Sequence, residues 1–158
     1  MNVVEICEEH WKRYKNIRLK ALKTTPYAFS TKYEDAIQRT DNSWKEQSRD
    51  LYNPMNGHGI IVEDKGIDIG LAVIYRTSDT QGEICQVYVD KFERNKGIGR
   101  KILDIIHHWC NENGIDTTTA VVFNENKEAL LFYKNCGFHE NDKTNGNGIV
   151  FKYRIGKE

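Results

Sequence analysis

The stretch Val87-Tyr88-Val89-Asp90-Lys91-Phe92-Glu93-Arg94-Asn95-Lys96-Gly97-Ile98-Gly99-Arg100 constrains this chain more than any other. A β-rich run ends, a polar loop follows, and two glycines open a long helical pattern. The first turn of a helix leaves backbone N–H groups without partners, and the helix dipole adds partial positive charge there. Glycines at 97 and 99 would remove side chains that keep a ligand off that backbone, and Lys96 and Arg100 add full charges. The junction therefore reads as an anion site suited to a pyrophosphate. A helix that merely happens to begin with glycine would need neither the preceding strand nor the flanking cations. Two familiar phosphate loops do not fit. No segment has the G-x-x-x-x-G-K-[ST] pattern, and G-x-G-x-x-G would need glycine at 102, where this chain has Ile102.

Hydrophobic periodicity places the other elements around this junction. Val3 to Cys7 is a short β-rich start, and Glu9 to Lys23 carries Trp11, Tyr14, Ile17, Leu19 and Leu22 at mostly helical spacing. A second helical region is expected between Thr31 and Leu51, broken near Thr40 to Ser43. Three strands then follow, Gly59 to Glu63, Ile67 to Arg76 and Glu83 to Val89, joined by hairpin-like links at 64–66 and 77–82. Gly97 to Asn113 is a strong helix with Ile98, Ile102, Ile105, Ile106 and Trp109 on one face and Gly114 as its stop. Thr117 to Phe123 is a β-branched strand, Asn126 to Cys136 a short helix ended by Gly137, and Phe138 to Asn141 and Gly148 to Ile155 are two last strands. This order predicts an α/β (mixed α+β) fold, a mixed central sheet of about seven strands with helices on both faces. No repeat or linker interrupts residues 1–158, so a single domain is expected.

Charge and composition remove several function classes. Lysine plus arginine and aspartate plus glutamate both number 23, and no basic block marks a nucleic-acid binder. No apolar run approaches membrane-spanning length, and the start MNVVEICEEHWK reaches acidic residues too early for a signal peptide. Cys7, Cys85, Cys110 and Cys136 form no CxxC pair, so they read as reduced thiols in a cytoplasmic protein. Five scattered histidines give no metal pattern. His107 and His108 would point about 100° apart on a helix. The expected partner is a small molecule, with no nucleic acid and no membrane. A homodimer is left open.

With Arg94-x-x-Gly97-x-Gly99 at a strand-to-helix junction, the sequence resembles the GNAT acetyltransferases, whose cofactor loop is Q/R-x-x-G-x-G/A. A second segment, Asn126-Lys127-Glu128-Ala129-Leu130-Leu131-Phe132-Tyr133-Lys134-Asn135-Cys136-Gly137-Phe138, is similar to that family's N-x-x-A-x-x-x-Y-x-x-x-G-F. Together the motifs span Glu83 to Phe138. Asn95 stands where the family often has glycine, and Lys91 where proline is common. Neither change removes an amide needed for phosphate binding.

The resemblance implies the GNAT acyl-CoA N-acyltransferase fold, acetyl-CoA as co-substrate, no metal, and direct attack by an amine in a ternary complex. It implies that Arg94, Asn95, Lys96, Gly97, Ile98, Gly99 and Arg100 hold the pyrophosphate. A backbone amide of Val87, Tyr88 or Val89 would meet the thioester carbonyl, and Asn126 would contact the pantetheine arm. Tyr133 would protonate the departing sulfur, and Glu83 is the candidate base. Each has a plainer reading beside it. Tyr133 lies in the stripe Ala129, Phe132, Tyr133, Cys136 and could simply pack. Asn126 is a good N-cap. Glu83 could be an exposed strand-edge carboxylate, with water carrying the proton.

Substrate choice is expected in Glu9 to Asn56. There, Thr25-Pro26-Tyr27-Ala28-Phe29-Ser30 followed by Glu34 resembles a GNAT subgroup with P-x-A-F, too varied to name an acceptor. Glu34, Asp35, Asp41, Glu46 and Asp50 could attract a cationic amine or form a solvated face. Val121 stands where ribosomal-protein acetyltransferases of the family carry a glutamate, which argues against that subclass. Three readings stay in play: an N-acetyltransferase acting on a small-molecule or protein amine, a non-catalytic acyl-CoA-binding module, and an unrelated nucleotide binder.

Overall fold

The computed structural model describes residues 1–156 and, within these, the side chains of all but 142–145; Lys157 and Glu158 of the expected single domain lie outside the described residues. Its strands are β1 (Asn2–Glu5), β2 (Gly57–Asp64), β3 (Ile67–Arg76), β4 (Gln81–Val89), β5 (Thr117–Phe123), β6 (His139–Asn145) and β7 (Gly148–Arg154). Its helices are α1 (Trp11–Thr24), α2 (Tyr33–Ala36), α3 (Asp41–Asp50), α4 (Ile98–Glu112) and α5 (Lys127–Asn135), with single 3-10 turns at Glu8–His10, Pro26–Ala28 and Lys91–Glu93. The strands form one seven-stranded sheet in the order β1-β2-β3-β4-β5-β7-β6. Every neighbouring pair is antiparallel except β4–β5, which is parallel. The mixed sheet and the element order match the sequence reading. The region between Thr31 and Leu51 is less helical than expected: α2 is a single turn, and Thr40 begins α3 by accepting the Ser43 amide at 3.1 Å.

Alternation along the strands feeds two cores, one on each face. One face gathers Ile60, Val62, Ala72, Ile74 and Ile84 under α4 and α5, the other Ile61, Leu71, Val73 and Tyr88 under α1 and α3. Helix α4 buries Ile98, Ile102, Leu103, Ile106 and Cys110 and stops at Gly114 (φ 78°). The Ile115 amide then reaches back to the Cys110 carbonyl at 2.9 Å, which closes the helix end. No helix among the described residues is long and apolar enough to cross a membrane.

His107, on α4, shows how deep the first core runs. Its ring stacks on Tyr153 (4.4 Å between centroids) and Phe138 (5.7 Å), and its Nε2 lies 2.9 Å from the Thr118 hydroxyl. Burial lowers its pKa from 6.5 to about 4. The unfolded chain therefore binds a proton here that the folded chain refuses. This contribution to stability is whole above pH 6.5, fades as pH falls toward 4, and amounts to about 3 kcal/mol at most. Urea unfolding at several pH values should show wild type losing more stability than His107→Gln across that window. Equal losses would place the titration elsewhere.

Candidate active site

The site begins with a defect in the sheet. β4 pairs with β5 only through Gln81–Thr117, Gly82–Thr118 and Glu83–Thr119, although both strands continue. Beyond Glu83 they part. A second irregularity lies on the other edge of β4. Its ladder with β3 steps from Leu71↔Tyr88 to Val73↔Cys85, so β4 carries an extra residue there. Gln86 takes the left-handed conformation (φ 56°) at this point. A bulge of this kind bends and twists its strand, and here it accompanies the opening of a cleft between two parallel strands. The cleft, about 920 Å³, is large enough for a sizeable ligand.

The loop after β4 aims the start of α4 at that cleft. Asp90 accepts the Phe92 amide (3.1 Å) and forms an ion pair with Lys20 of α1. That pairing holds its carboxyl below the usual range. Arg94 Nε donates to the Val89 carbonyl at 2.9 Å. Asn95 (φ 62°) and Gly97 (φ 79°) are both left-handed. Asparagine tolerates that region better than most residues, which explains why it can stand where the family prefers glycine. Lys91 opens a 3-10 turn, where proline is also well tolerated. The first N–H of α4 with a helical partner is that of Lys101, bonded to the Gly97 carbonyl at 3.2 Å. The N–H groups of Ile98, Gly99 and Arg100 precede it and have no helical acceptor. A Cβ at Gly97 would meet nothing within 4 Å, so this backbone stands open to a ligand.

Glu83, Val87, Tyr88, Val89, Arg94, Asn95, Gly97, Ile98, Gly99, Arg100, Asn126 and Tyr133 all line the cleft. Lys96 does not line it; its ammonium is exposed and pairs with Glu93 at 3.1 Å. Arg100 spends one donor on the Asn135 carbonyl (2.7 Å), tying α4 to the end of α5. Gly99 has a packing reason that the sequence reading did not foresee. A Cβ there would lie 2.9 Å from the Phe132 ring, so the glycine lets α5 approach α4 while it also lines the cleft. Asn126 caps α5 through the Ala129 amide (3.2 Å) while also lining the cleft, so both of its readings are compatible. Tyr133 is likewise placed so that both of its readings are compatible with the structure. It is 7% exposed and packs edge-on against Phe132 and Phe138, yet it lines the cleft. Burial, with no hydrogen bond to steady a phenolate, holds its pKa well above 10.

The sequence reading missed part of the wall. Tyr75 and Gln86 also line the cleft, beside Arg18, Thr25 and Phe29 from the segment where substrate choice is expected. Gln86 accepts the Tyr14 hydroxyl at 2.7 Å. The signal for Arg18 was available: Tyr14, Ile17, Arg18, Ala21 and Leu22 are the buried stripe of α1, and one of them is charged. Glu34, Asp35, Asp41, Glu46 and Asp50 are all exposed, and none lines the cleft. The four cysteines are free thiols, and burial raises Cys85 and Cys110 to about 12. Cys7, Glu9 and His10 bring possible metal-ligand atoms within 4.8 Å of one another. His10 Nδ1 is already engaged there, by the Glu5 carbonyl at 2.8 Å.

The sequence model of the Acetyltransferase (GNAT) family matches residues 6–138, most of the chain and all of this cleft-forming region. The chain belongs to the GNAT acetyltransferase family. A relative, the uncharacterised protein YxbD of Bacillus subtilis (strain 168), is 31% identical over 93 residues, 58% of this chain. The chain spans about half, 56%, of that relative's length. Solved GNAT structures share the fold. The PaiA N-acetyltransferase of Thermoplasma acidophilum, in complex with coenzyme A, has a TM-score of 0.81 at 16% identity, covering 98% of this chain and 99% of that one. The GNAT domain of S. lividans PAT has a TM-score of 0.82 at 13% identity, covering 97% and 89%. YncA of Salmonella typhimurium, with acetyl-CoA, has a TM-score of 0.71 at 16% identity, covering 100% and 95%. The parted strands and the open α4 N-terminus of this GNAT protein thus belong to a fold that holds coenzyme A in the PaiA structure and acetyl-CoA in the YncA structure.

Proposed function

We propose that this GNAT protein is an acetyl-CoA-dependent N-acetyltransferase acting on a primary amine of a small molecule. The observation that carries the reading is the parting of β4 and β5 after Glu83, beside the free amides of Ile98, Gly99 and Arg100. Those amides, with Arg94, Arg100 and the open Gly97, suit a pyrophosphate. The edge of β4 turned away from β3 along Val87–Val89 offers backbone donors to an acyl carbonyl. The single sheet through all seven strands supports reading residues 1–158 as one domain.

Acetyl-CoA supplies the activated acyl group. An alkyl amine arrives protonated, its pKa being about 10, and must lose that proton before its nitrogen can attack. Glu83 is half-buried on the cleft wall at the last β4–β5 pair, positioned to accept the proton directly or through water. A new C–N bond then replaces the C–S bond. The nitrogen still carries one proton more than the amide needs and gives it up to solvent. The Tyr133 hydroxyl, kept protonated by its burial, supplies a proton to the departing sulfur and regains one from solvent. The products are an amide and the free CoA thiol.

Glu83→Gln should lower kcat/KM by about a hundredfold, the lower part of the range for a general base. Calorimetric affinity for acetyl-CoA should stay the same, because the α4 junction is untouched. An unchanged rate and pH–rate profile would give the proton to water.

A further inference from the structure

Arg18 is a buried cation with no anion to meet. It is 7% exposed, yet it lines the cleft. Its Nη1 is buried without a hydrogen-bond partner, and among the described residues no carboxylate forms an ion pair with it. The guanidinium lies over the Phe29 ring, 4.8 Å from the centroid. The other charge bearing on it from within the fold is a second cation, Arg39, itself stacked on Trp44 at 3.8 Å. The other titratable groups that bear on it are Tyr14, Cys85 and Tyr75. A desolvated, uncompensated charge costs a folded protein several kcal/mol. Such a charge is kept most economically where a ligand supplies the missing partner.

Glu83 and Arg18 bear on one point from opposite signs. The Cys85 thiol, raised chiefly by its burial, is also pushed up by Glu83 and down by Arg18. Both also line the same cleft. We propose that Arg18 receives a carboxylate of the acceptor while Glu83 receives its ammonium group, so that the acceptor is an amino acid or a close amino-acid analogue. A guanidinium pairs with carboxylate in a planar, two-pronged geometry. A phosphate dianion would call for more than one donor group, whereas the wall that Arg18 shares carries the rings of Phe29 and Tyr75, and the Thr25 hydroxyl is already given to the Ala21 carbonyl at 2.7 Å. This inference rests on the acetyltransferase reading and narrows its substrate class.

The test compares standard L-amino acids, each beside its carboxamide and its decarboxylated amine, for CoA release from acetyl-CoA. The accepted amino acid should exceed both counterparts at least tenfold in kcat/KM, the lower end for a lost hydrogen bond to a charged group, about 1.5–3 kcal/mol. Arg18→Gln should erase that preference and leave acetyl-CoA affinity unchanged, while Arg18→Lys should keep part of it. Calorimetry of the N-acetyl amino acids with CoA present gives a readout that needs no turnover. Carboxylate binding that depends on Arg18, without CoA release from any amine, would uphold the anion subsite and remove the acetyltransferase reading. Equal turnover of carboxamides or decarboxylated amines would overturn the proposal. So would an equal loss for all three classes in Arg18→Gln, or no binding and no turnover of any amino acid.

Discussion

Gly97→Glu is expected to weaken acetyl-CoA binding by at least about a hundredfold while the protein stays folded. Two effects act together. Gly97 sits at φ 79°, and a residue with a Cβ pays about 1–2 kcal/mol there. For a chain of this length that lowers Tm by a few degrees. The larger effect is on the ligand. The new side chain would extend into space that is open within 4 Å of the backbone and carry a carboxylate to the free amides of α4. There it would be stabilised by the helix dipole and compete with any phosphate for the same donors. Gly97→Ala isolates the first effect, since it carries the backbone cost without the charge. Calorimetry with acetyl-CoA on both variants, beside thermal melting, separates the two. Unchanged affinity in a folded Gly97→Glu protein would remove the cofactor assignment. Gly99→Glu is the less informative companion, because its side chain would first collide with Phe132.

Tyr133→Phe should lower kcat by about tenfold to a hundredfold and leave acetyl-CoA affinity unchanged. General acids contribute about 10² to 10⁴, and a CoA thiolate leaves readily, so the effect falls at or just below the low end. Stability should change little. The ring keeps its packing against Phe132, Phe138 and Phe151, and the hydroxyl contributes no hydrogen bond that holds the fold. Because burial keeps the phenol protonated well past its usual pKa, wild type should show no fall in rate from Tyr133 below about pH 10. A full wild-type kcat in the folded variant would return Tyr133 to packing alone and leave proton delivery to solvent.

The elements legible in the sequence were those specified locally. The α4 stripe, its Gly114 stop, the β-branched run of β5 and the Asn126 cap all follow from short-range pattern, and each lies where expected. The features that open the cleft were not legible. The Gln86 bulge arises from pairing between β3 and β4, and nothing in Glu83-Ile84-Cys85-Gln86-Val87 announces that one residue will be left over. Gly99 was legible as a special position, but the ring of another helix that presses on it was not. Lys96 and Arg100 were read as free charges because their partners, Glu93 and the Asn135 carbonyl, depend on how the loop and α5 settle. Arg18 shows the opposite lesson. A charge at a stripe position of α1 was visible in the sequence, and only the structure shows that it stays unpaired.

The central claim is that the gap between β4 and β5, closed at one end by the first turn of α4, is an acetyl-CoA site. Calorimetric titration of the wild-type protein with acetyl-CoA, and in parallel with ATP and NAD, tests it without knowledge of the acceptor. The account predicts one acetyl-CoA bound per chain, with ATP and NAD at least tenfold weaker. No acetyl-CoA binding, or ATP or NAD bound as tightly, would contradict it.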